Sequence, residues 1–368
     1  MIKKLFVVVV TLSLLLSGML VTVGGEATED GEESVAEENA VEIEDWHDLD
    51  AVRDDLDGEY ILMDDLDEDT TGYEELVDTE KRWEPIGDDD NEFTGTFDGN
   101  EYEIKGLYID RAYEKSVGLV GVTGDRAEIT DVGVVDVEVT GGYNVGGLVG
   151  DNSGTVENSY VTGDVSGNRR VGGLVGKNYE DTVSDSDTTG EVSGDTQVGG
   201  LVGFNWDGTV KNSYATGDVT GDGAIGGLVG RSNSGTVENS YATGNVTGDY
   251  DVGGLMGWNS GTVENSYATG EVIGEENVGG LVGYNREGTV SDSYATGNVT
   301  GDRGVGGLIG FNHGGEVENS DATGNVSGNE DVGQLIGKEE SIPGFTTMLL
   351  LLASIIAIAI YRKKSTKS

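Results

Sequence analysis

Hydrophobic and small residues recur along this chain in a block that repeats almost unchanged. The block reads Val-Gly-Gly-Leu-Val-Gly, and successive copies are separated by 26 or 27 residues. Copies begin at Val145, Val171, Val198, Ile225, Val252, Val278 and Val305, a worn copy begins at Val332, and a degenerate copy spans Ser116 to Gly121. Self-similarity at one fixed period is typical of a solenoid, in which each repeat packs only against its two neighbours.

The residue types within one repeat indicate which kind of solenoid the chain forms. Each repeat is rich in Gly, Val, Thr, Asn and Ser, which favour strands and turns over helices. A unit of about 27 residues with three corners marked by Gly or Asn accommodates three short strands. We therefore predict an all-β parallel β-helix of three-strand rungs, stacked at roughly 4.8 Å so that each rung hydrogen-bonds to the next.

The alternation of small and polar residues predicts which side chains point into the stack. In the segment 241–247, Ala242 and Val246 are expected to point inward, and Tyr241 and Asn245 outward. Two polar columns recur in every repeat: Thr162, Thr189, Thr216, Thr243, Thr269, Thr296 and Thr323, and Asn158, Asp185, Asn212, Asn239, Asn265, Asp292 and Asn319. We expect the Thr column on the outer surface and the Asn column at a corner, with its amides hydrogen-bonded along the stack.

The region before the repeats differs from them in composition and periodicity. Residues 26–44 are acidic and without periodicity, which predicts a flexible linker. Apolar residues from Trp46 to Leu56 then follow helical spacing and predict one short helix, and the run Tyr60 to Met63 is typical of a strand.

Two further runs before the repeats predict half-buried strands. Residues 93–97 and 102–109 alternate between apolar and polar with a period of two. Most of the bulky apolar side chains fall in this part of the chain, which suits a terminal cap over an open core. We predict that residues 45–115 form an N-terminal cap with the first rungs and that residues 116–338 form the solenoid proper.

Both ends of the chain carry apolar segments. Residues 1–25 combine a basic start, an almost unbroken apolar run and small residues at its end, which is the pattern of a secretory signal peptide. Residues 339–368 contain a second apolar run, long enough for one membrane-spanning helix and followed by the basic cluster 362–364. We expect hydrophobic helices at both termini, the basic cluster in the cytoplasm and the body outside the cell.

Composition changes this picture in two ways. The chain has 21 Lys and Arg residues against 69 Asp and Glu residues, a formal net charge of −48, and no cysteine. Carboxylates at this density repel nucleic acid and anionic lipid, and the lack of cysteine excludes disulfides, thiolate catalysis and Cys-based zinc sites. Such a chain is either disordered or folded and adapted to high salt. The regular apolar positions favour the folded alternative in a halophilic host.

Two motifs carry resemblances to known families. Blocks of Gly-Gly-Leu-Val-Gly combined with Glu-Asn-Ser-Tyr-Ala-Thr-Gly make residues 116–338 resemble the GLUG-motif repeats of prokaryotic surface proteins, and residues 83–99 resemble the segment that often precedes such arrays. The tripeptide Pro343-Gly344-Phe345, with the apolar run and basic tail after it, is similar to the PGF-CTERM sorting signal of archaea. This second resemblance implies that an archaeosortase-like enzyme removes the helix and that a lipid replaces it.

Residues with catalytic potential are sparse. The two histidines, His47 and His313, lack a metal-ligand spacing, and no Gly-x-Ser-x-Gly motif occurs. Four aspartates interrupt the repeat columns and offer paired carboxylates of the glycosidase kind: Asp185, Asp187, Asp292 and Asp321. Since nothing predicts a cleft around them, we expect no catalytic residue and no enzyme. A β-helix polysaccharide hydrolase or lyase is the alternative.

Two acidic loops are weak candidates for Ca²⁺. Residues 65–69 space three carboxylates as an EF-hand loop begins, but Thr70 replaces the turn glycine and Leu76 occupies the position of the bidentate glutamate. The run 88–90 is the second candidate. Both patterns are more typical of solvated acidic loops, so we expect neither a metal site nor a cofactor.

Two sets of repeated residues are candidates for modification and binding. Glycosylation sequons recur at one repeat position, at Asn245, Asn298 and Asn325. Aromatic residues recur at what we interpret as one corner position: Phe204, Trp258, Tyr284 and Phe311. This aromatic column could contact sugars or a protein partner, and ordinary exposed aromatics that close a corner are an equally good interpretation.

Taken together, these patterns predict a secreted, non-catalytic protein at the cell surface. It would be anchored to the cell membrane by its C-terminal helix or by a lipid, and the GLUG resemblance implies adhesion or surface-layer association. Cell-surface glycans and surface-layer proteins are the expected partners, and nucleic acid is not. A self-assembling fibre subunit is a third alternative, which the bulky N-terminal region disfavours because a fibre needs open ends.

Overall fold

The computed structural model describes residues 40–77 and 82–340 as a parallel β-solenoid of about nine turns. Helices are few and short in the described residues: α1 at Trp46–Ala51, a 3₁₀ turn at Val52–Asp54 and α2 at Tyr73–Leu76. None of the helices in these two ranges has the length and hydrophobicity needed to cross a membrane. The predicted signal peptide, the sorting signal Pro343-Gly344-Phe345 and both terminal hydrophobic helices lie outside the described residues.

Three parallel sheets, named A, B and C below, run along the solenoid. Sheet A comprises Val41–Ile43, Glu59–Leu62, Thr96–Asp98, Glu128–Thr130, Thr155–Glu157, Thr182–Ser184, Thr209–Lys211, Thr236–Glu238, Thr262–Glu264, Thr289–Ser291 and Glu316–Glu318. Sheet B comprises Glu103–Lys105, Tyr108–Val117, Gly133–Val145, Tyr160–Gly172, Asp187–Thr189, Val192–Gly199, Tyr214–Ala215, Val219–Thr220, Gly223–Gly226, Tyr241–Ala242, Val246–Thr247, Tyr250–Gly253, Tyr267–Ala268, Val272–Ile273, Glu276–Gly279, Tyr294–Ala295, Val299–Thr300, Arg303–Gly306, Asp321–Ala322, Val326–Ser327 and Glu330–Gly333. Sheet C comprises Val120–Val122, Val149–Asn152, Val175–Tyr179, Val202–Trp206, Val229–Asn233, Met256–Asn259, Val282–Arg286, Ile309–His313 and Ile336–Glu340.

Residues one repeat apart pair directly, which confirms the predicted stack of parallel rungs. Ala242 pairs with Ala215 on one side and with Ala268 on the other. In the later turns, sheet B is divided into three short strands, so each of these turns has five strands where three were predicted. The chain bends at glycines such as Gly217, where a Cβ would lie 1.6 Å from the carbonyl oxygen of Gly190, so only glycine fits.

Aliphatic columns fill the interior, one residue of each column per turn. Ala242 and Val246 are buried as predicted, whereas Thr243, Asn245 and Thr247 between and after them are exposed. Small and β-branched side chains suit this interior because facing sheets leave room for only one layer of side chains between them.

A ladder of buried asparagines lies beside the aliphatic columns, and the sequence analysis missed it. Its members are Asn152, Asn178, Asn205, Asn259, Asn285 and Asn312. The Nδ2 atom of Asn178 donates to Oδ1 of Asn205 at 2.9 Å and to the carbonyl oxygen of Asp181 at 2.8 Å. Each turn therefore satisfies the amide of its neighbour, which is what makes burial of this polar group tolerable.

The predicted corner column of Asn and Asp is also present, on the exposed side. Asn158, Asn212, Asn239 and Asn265 have φ values between 49° and 52°. Asn and Asp tolerate this left-handed conformation better than most residues, which explains their recurrence at a corner. The Nδ2 atom of Asn212 donates to Oδ1 of Asp185 at 3.1 Å, so these amides do link successive turns.

The N-terminal segment begins earlier than predicted. Val41–Ile43 pairs in parallel with Glu59–Leu62, and Ile43 is fully buried. The prediction of a linker over residues 26–44 is therefore wrong at its end, because strand pairing and the burial of Ile43 give even this acidic stretch an ordered structure. The predicted helix is α1, which Asp45 caps by accepting hydrogen bonds from the backbone N–H groups of His47 and Asp48.

Candidate binding site on sheet C

The four candidate aromatic residues lie in one column on the outer face of sheet C. The column, called the C column below, consists of Lys177, Phe204, Arg231, Trp258, Tyr284, Phe311 and Lys338, each paired with the next in an adjacent strand. The predicted corner position is wrong: these residues lie within strands. Asn205 points into the buried ladder, so Phe204 and Trp206 on either side of it must point outward.

The aromatic rings of the C column contact their neighbours along the solenoid axis. Tyr284 and Phe311 stack with centroids 5.0 Å apart, and Trp258 meets Tyr284 edge-on at 6.1 Å. Phe204 is only 3% exposed, so its prediction as a ligand contact is wrong, whereas Trp258, Tyr284 and Phe311 stay partly exposed.

Cations cover the ring faces that the neighbouring rings leave open. The guanidinium carbon of Arg231 lies 4.1 Å from the ring centroid of Trp258, and Nζ of Lys338 lies 4.5 Å from that of Phe311. Arg170, in the sheet B strand Tyr160–Gly172, covers Phe204 at 4.9 Å. These are cation–π distances, which hold each charged group on the surface beside a ring.

This face gathers positive charge on a strongly acidic protein. Nine Lys and Arg residues fall between residues 116 and 340: Arg126, Arg169, Arg170, Lys177, Lys211, Arg231, Arg286, Arg303 and Lys338. Five of these lie on or beside the outer face of sheet C, namely Arg170, Lys177, Arg231, Arg286 and Lys338. Sequence analysis named only the rings and overlooked the cations between them, although both are visible at the same repeat position.

The cations of this face differ in how they are paired. Nζ of Lys177 lies 2.9 Å from Oδ1 of Asp151, and Nζ of Lys338 lies 2.9 Å from Oε1 of Glu340. In the part of the chain that the structure describes, Arg231 and Arg286 form no ion pair.

The electrostatic surroundings of Arg231 are repulsive. Burial lowers the pKa of Arg231, and three neighbouring guanidinium groups lower it further, those of Arg169, Arg170 and Arg286. The carboxylate of Asp251 opposes this shift, and burial raises the pKa of Asp251 itself. Because arginine stays protonated regardless, the result is a group of mutually repelling cations that an anion would stabilise.

The three sequons lie together on the outer face of sheet B, away from the C column along the rung. Asn245, Asn298 and Asn325 are all exposed. Oδ1 of Asn245 accepts from the backbone N–H of Glu271 at 3.1 Å, and Nδ2 of Asn325 donates to Oδ1 of Asn298 at 3.2 Å. Asn298 and Asn325 are thus direct neighbours on adjacent turns.

A ladder of tyrosines also follows sheet B. Tyr214, Tyr241, Tyr267 and Tyr294 stack at centroid distances of 4.9, 4.8 and 5.0 Å, with interplanar angles of 4° or less. The aspartates that interrupt this column, Asp187 and Asp321, pair with Tyr214 and Tyr294 at its two ends.

The structure does not bring the four candidate carboxylates together. Asp185 lies at an exposed corner, and Asp187 lies two residues on within a strand. Asp292 and Asp321 lie on later turns. Burial raises the pKa of Asp187, and a hydrogen bond from Tyr214 opposes that shift.

In the two acidic loops, carboxylates accept hydrogen bonds from neighbouring protein donors. Oδ2 of Asp65 accepts from Nζ of Lys105 at 2.6 Å, and this hydrogen bond lowers the pKa of Asp65. Oδ1 of Asp88 accepts from the backbone N–H groups of Asp90 and Asn91 at 2.9 and 2.8 Å. Across residues 40–77 and 82–340, no three His, Cys, Asp or Glu side chains converge as metal ligands, so the Ca²⁺ hypothesis gains no support here.

Comparison with family models identifies the repeats. The model of the GLUG motif matches six segments, at residues 141–166, 194–220, 221–247, 248–273, 274–300 and 301–327. The chain therefore contains six GLUG motif repeats, as the resemblance predicted. The turn between the first two matches, residues 167–193, departs from the motif, and it carries Arg169, Arg170 and Lys177.

Two related proteins match parts of the array. The chain is 41% identical over 117 residues to a protein provisionally described as a Gly-rich membrane protein of Evansella cellulosilytica, a match over 32% of this chain and 12% of that protein. It is 42% identical over 88 residues to the halomucin of Haloquadratum walsbyi, a match over 24% of this chain and 1% of that protein. The chain thus spans only a small part of either relative.

Solved structures of similar shape have low sequence identity. A crystal structure from Bacteroides ovatus, provisionally described as an immunoglobulin A1 protease, has a TM-score of 0.49 and 19% identity, over 82% of this chain and 84% of that chain. A structure described as IgA1 protease has a TM-score of 0.43 and 17% identity, over 74% of this chain and 21% of that chain.

Proposed function

We propose that this chain is a cell-surface protein whose solenoid presents the C column to extracellular glycans and binds them without catalysis. The names of the relatives, a membrane protein and a halomucin, support a cell-surface location. Adhesion or association with a surface layer is the role that such binding would serve.

The proposed location has several finer parts. Residues 1–25 would direct secretion, and residues 45–115 would cap the first turn of the solenoid. The segment 339–368 would hold the protein at the membrane, either as a helix or through a lipid added after an archaeosortase-like enzyme acts at Pro343-Gly344-Phe345. The sequons at Asn245, Asn298 and Asn325 would carry glycans of the protein's own.

One observation carries the binding proposal: the C column changes residue type from turn to turn. A column that only maintains the stack can repeat one residue, as the Tyr column of sheet B does over the four turns of Tyr214, Tyr241, Tyr267 and Tyr294. The C column instead places three consecutive, partly exposed rings, Trp258, Tyr284 and Phe311, between the cations of Arg231 and Lys338. Aromatic and arginine side chains in a row are what polar, partly apolar ligands such as sugars require.

Two features favour binding over catalysis. Asp292 and Asp321 lie on later turns than the other two candidate carboxylates. Asp185 and Asp187 lie two residues apart on one turn, at an exposed corner and in the strand that follows it, whereas a glycosidase needs two carboxyls that flank a bound sugar. The C column itself lies on the outside of sheet C and consists of cations and rings, which are groups that position a ligand.

The test is a glycan array probed with the full-length chain at high salt. We expect binding that falls at least about tenfold when Trp258→Ala and Tyr284→Ala are combined, since a tenfold loss corresponds to one removed contact of ordinary strength. The matched control combines Tyr241→Ala and Tyr267→Ala on sheet B and should keep the binding. Equal losses in the two variants, or no binding by the unaltered chain, would contradict the proposal.

A further inference from the structure

We infer that the ligand of the C column is an acidic polysaccharide that lies along the solenoid axis, with its negative charges about two turns apart. This inference rests on the proposed glycan-binding function and names the class of glycan. Three observations carry it: the spacing of the cations, the lack of ion-pair partners for the two central arginines among the described residues, and the charge of the rest of the protein.

The cations on sheet C recur at every second turn. Lys177, Arg231, Arg286 and Lys338 lie on the strands Val175–Tyr179, Val229–Asn233, Val282–Arg286 and Ile336–Glu340, and one strand of the sheet separates each from the next. With strands about 4.8 Å apart, successive cations stand roughly 10 Å apart along the axis. Lys177, Arg231 and Lys338 are members of the C column, and Arg286 lies two residues from it along its strand, in the column of His313. A linear sugar chain with an acidic group on every second residue has a charge repeat of comparable length.

Arg231 and Arg286, the two central cations, are the ones available to bind an external anion. The Arg231 guanidinium is held by the Trp258 ring and by one hydrogen bond, from its Nε to Oδ1 of Asn233 at 3.1 Å. Among the described residues neither Arg231 nor Arg286 has an ion-pair partner, and Arg286 is exposed. Guanidinium groups bind carboxylate and sulfate through two parallel hydrogen bonds, so two such groups on one face, two turns apart along the axis, suit a repeating acid.

The outer pair of cations has a different role. Asp151 and Glu340 already neutralise Lys177 and Lys338 in the free protein. These lysines mark the ends of the charged strip, and most of the charge selectivity should come from Arg231 and Arg286. Asp251 beside Arg231 is the main anion against which a ligand must compete.

The charge density of the protein separates this ligand class from other polyanions. Duplex nucleic acid carries one charge per about 1.7 Å of axis, so most of its phosphates would meet no cation on a strip with one cation per roughly 10 Å. Those phosphates would instead face a protein of net charge −48. An anionic membrane is a plane, whereas the strip is one or two side chains wide. A sparsely charged linear chain avoids both mismatches.

The experiment compares two forms of one polymer on the full-length chain. Hyaluronan carries one carboxylate on every second sugar, and its carboxyl-reduced form has the same backbone without the charge. We expect hyaluronan to bind at least about tenfold more tightly than the reduced form, as charge-assisted pairs to two arginines would give. Combining Arg231→Gln with Arg286→Gln should abolish that preference, so that the two polymers bind equally.

The matched control is the pair Arg126→Gln and Arg303→Gln, which removes the same charge elsewhere on the solenoid and should keep the preference. Arg286→Gln alone changes an exposed side chain, so a partial loss in that variant separates the effect from misfolding. Equal binding of both polymer forms, with no effect of the arginine variants, would overturn the acidic class while glycan binding stands. Failure of every glycan to bind would overturn both proposals, and tighter binding of duplex DNA than of hyaluronan would overturn this one.

Discussion

The outer faces of sheets B and C are built on the same turns, yet their side chains repeat in different ways. On sheet B, four tyrosines stack with rings 4.8 to 5.0 Å apart and nearly parallel. On sheet C the same spacing is occupied in turn by a cation, a ring and another cation, as at Lys177, Phe204 and Arg231. Sheet B forms a uniform ladder, and sheet C forms a sequence of different contacts.

This difference between the two sheets shows which side-chain contacts the stacking of turns requires. Any column in which identical side chains can contact one another satisfies the stack, and Tyr and Thr do this through rings and β-branched surfaces. In a column of different residues, each side chain must contact neighbours of another type, as the Arg231 guanidinium contacts the Trp258 ring. The uniform columns of sheet B therefore serve to stabilise the solenoid. On sheet C the outward-facing residue differs from turn to turn.

The largest expected effect lies beneath sheet C, in the buried ladder. Asn285 donates to Oδ1 of Asn312 at 2.9 Å and to the carbonyl oxygen of Gly288 at 3.1 Å, and it accepts from Asn259 at 2.9 Å. Asn285→Ala leaves these buried partners unsatisfied, so the free energy of unfolding should fall by about 3 kcal/mol. Guanidinium denaturation measures it. The exposed control Asn298→Ala on sheet B should change it by less than about 0.5 kcal/mol, and similar losses would refute the contrast.

The next effect compares one ring from each face. Trp258→Ala removes the contacts with Arg231 and Tyr284, and Tyr267→Ala removes two stacked neighbours. We expect both to lower the free energy of unfolding by about 2 kcal/mol, because each ring is half-buried between its neighbours. Glycan binding, measured on the same two samples, should fall only for Trp258→Ala. A loss of binding in Tyr267→Ala would mean that sheet B also contacts the ligand.

A smaller effect of opposite sign is expected where the buried ladder is interrupted. Ser232 occupies the ladder position between Asn205 and Asn259, and its buried Oγ has no hydrogen-bond partner among the described residues. Ser232→Asn would complete the ladder and raise the free energy of unfolding by about 1 kcal/mol. Thermal unfolding measures the change, with Ser260→Asn on the partly exposed surface as the matched control. An unchanged or lower midpoint for Ser232→Asn would show that the site is too small for the amide.

The smallest effect concerns carboxylates at the two faces. Burial raises the pKa of Asp187 on sheet B and of Asp251 beside sheet C. A folded-state pKa above the unfolded one means that ionisation costs stability, so the free energy of unfolding falls as pH rises through the folded-state pKa. Asp187→Asn should therefore be more stable than the unaltered chain at pH 7, by less than about 1 kcal/mol because the group is partly solvated. Asp251→Asn should gain less, since Asp251 also attracts Arg231.

The control for these two variants has the opposite sign. Lys105 lowers the pKa of Asp65, so this ion pair stabilises the fold above the unfolded-state pKa, and the stabilisation is lost as pH falls through the folded-state pKa. Asp65→Asn should be less stable than the unaltered chain at pH 7. Denaturation midpoints measured across pH 3 to 8 would separate the two signs, and parallel curves for all variants would rule out the burial argument.

Much of the fold could be predicted because the same pattern of apolar, polar and turn residues recurs in every repeat. The inward positions Ala242 and Val246 and the corner asparagines were identified from alternation and from turn preference alone. The candidate site was predicted only in part. Phe204 and Trp258 were identified as a column, but their place within a strand was not, because the facing of that strand depends on Asn205 being buried. A polar residue is read as exposed unless its hydrogen-bond partners are known.

By itself, the sequence determined the length of the turn, its β character and which residues share a column, because hydrogen bonds between turns place residues one repeat apart side by side. Only the tertiary structure decided how each turn bends and which columns therefore lie next to each other. Left-handed corners such as Asn239 and Asp251 set the angle between sheets. That angle brings guanidinium groups distant in the chain onto one face and determines which carboxylates are buried. The repeat spacing places residues of one column side by side, but contacts between columns, such as that of Arg170 with Phe204, depend on how the turn bends.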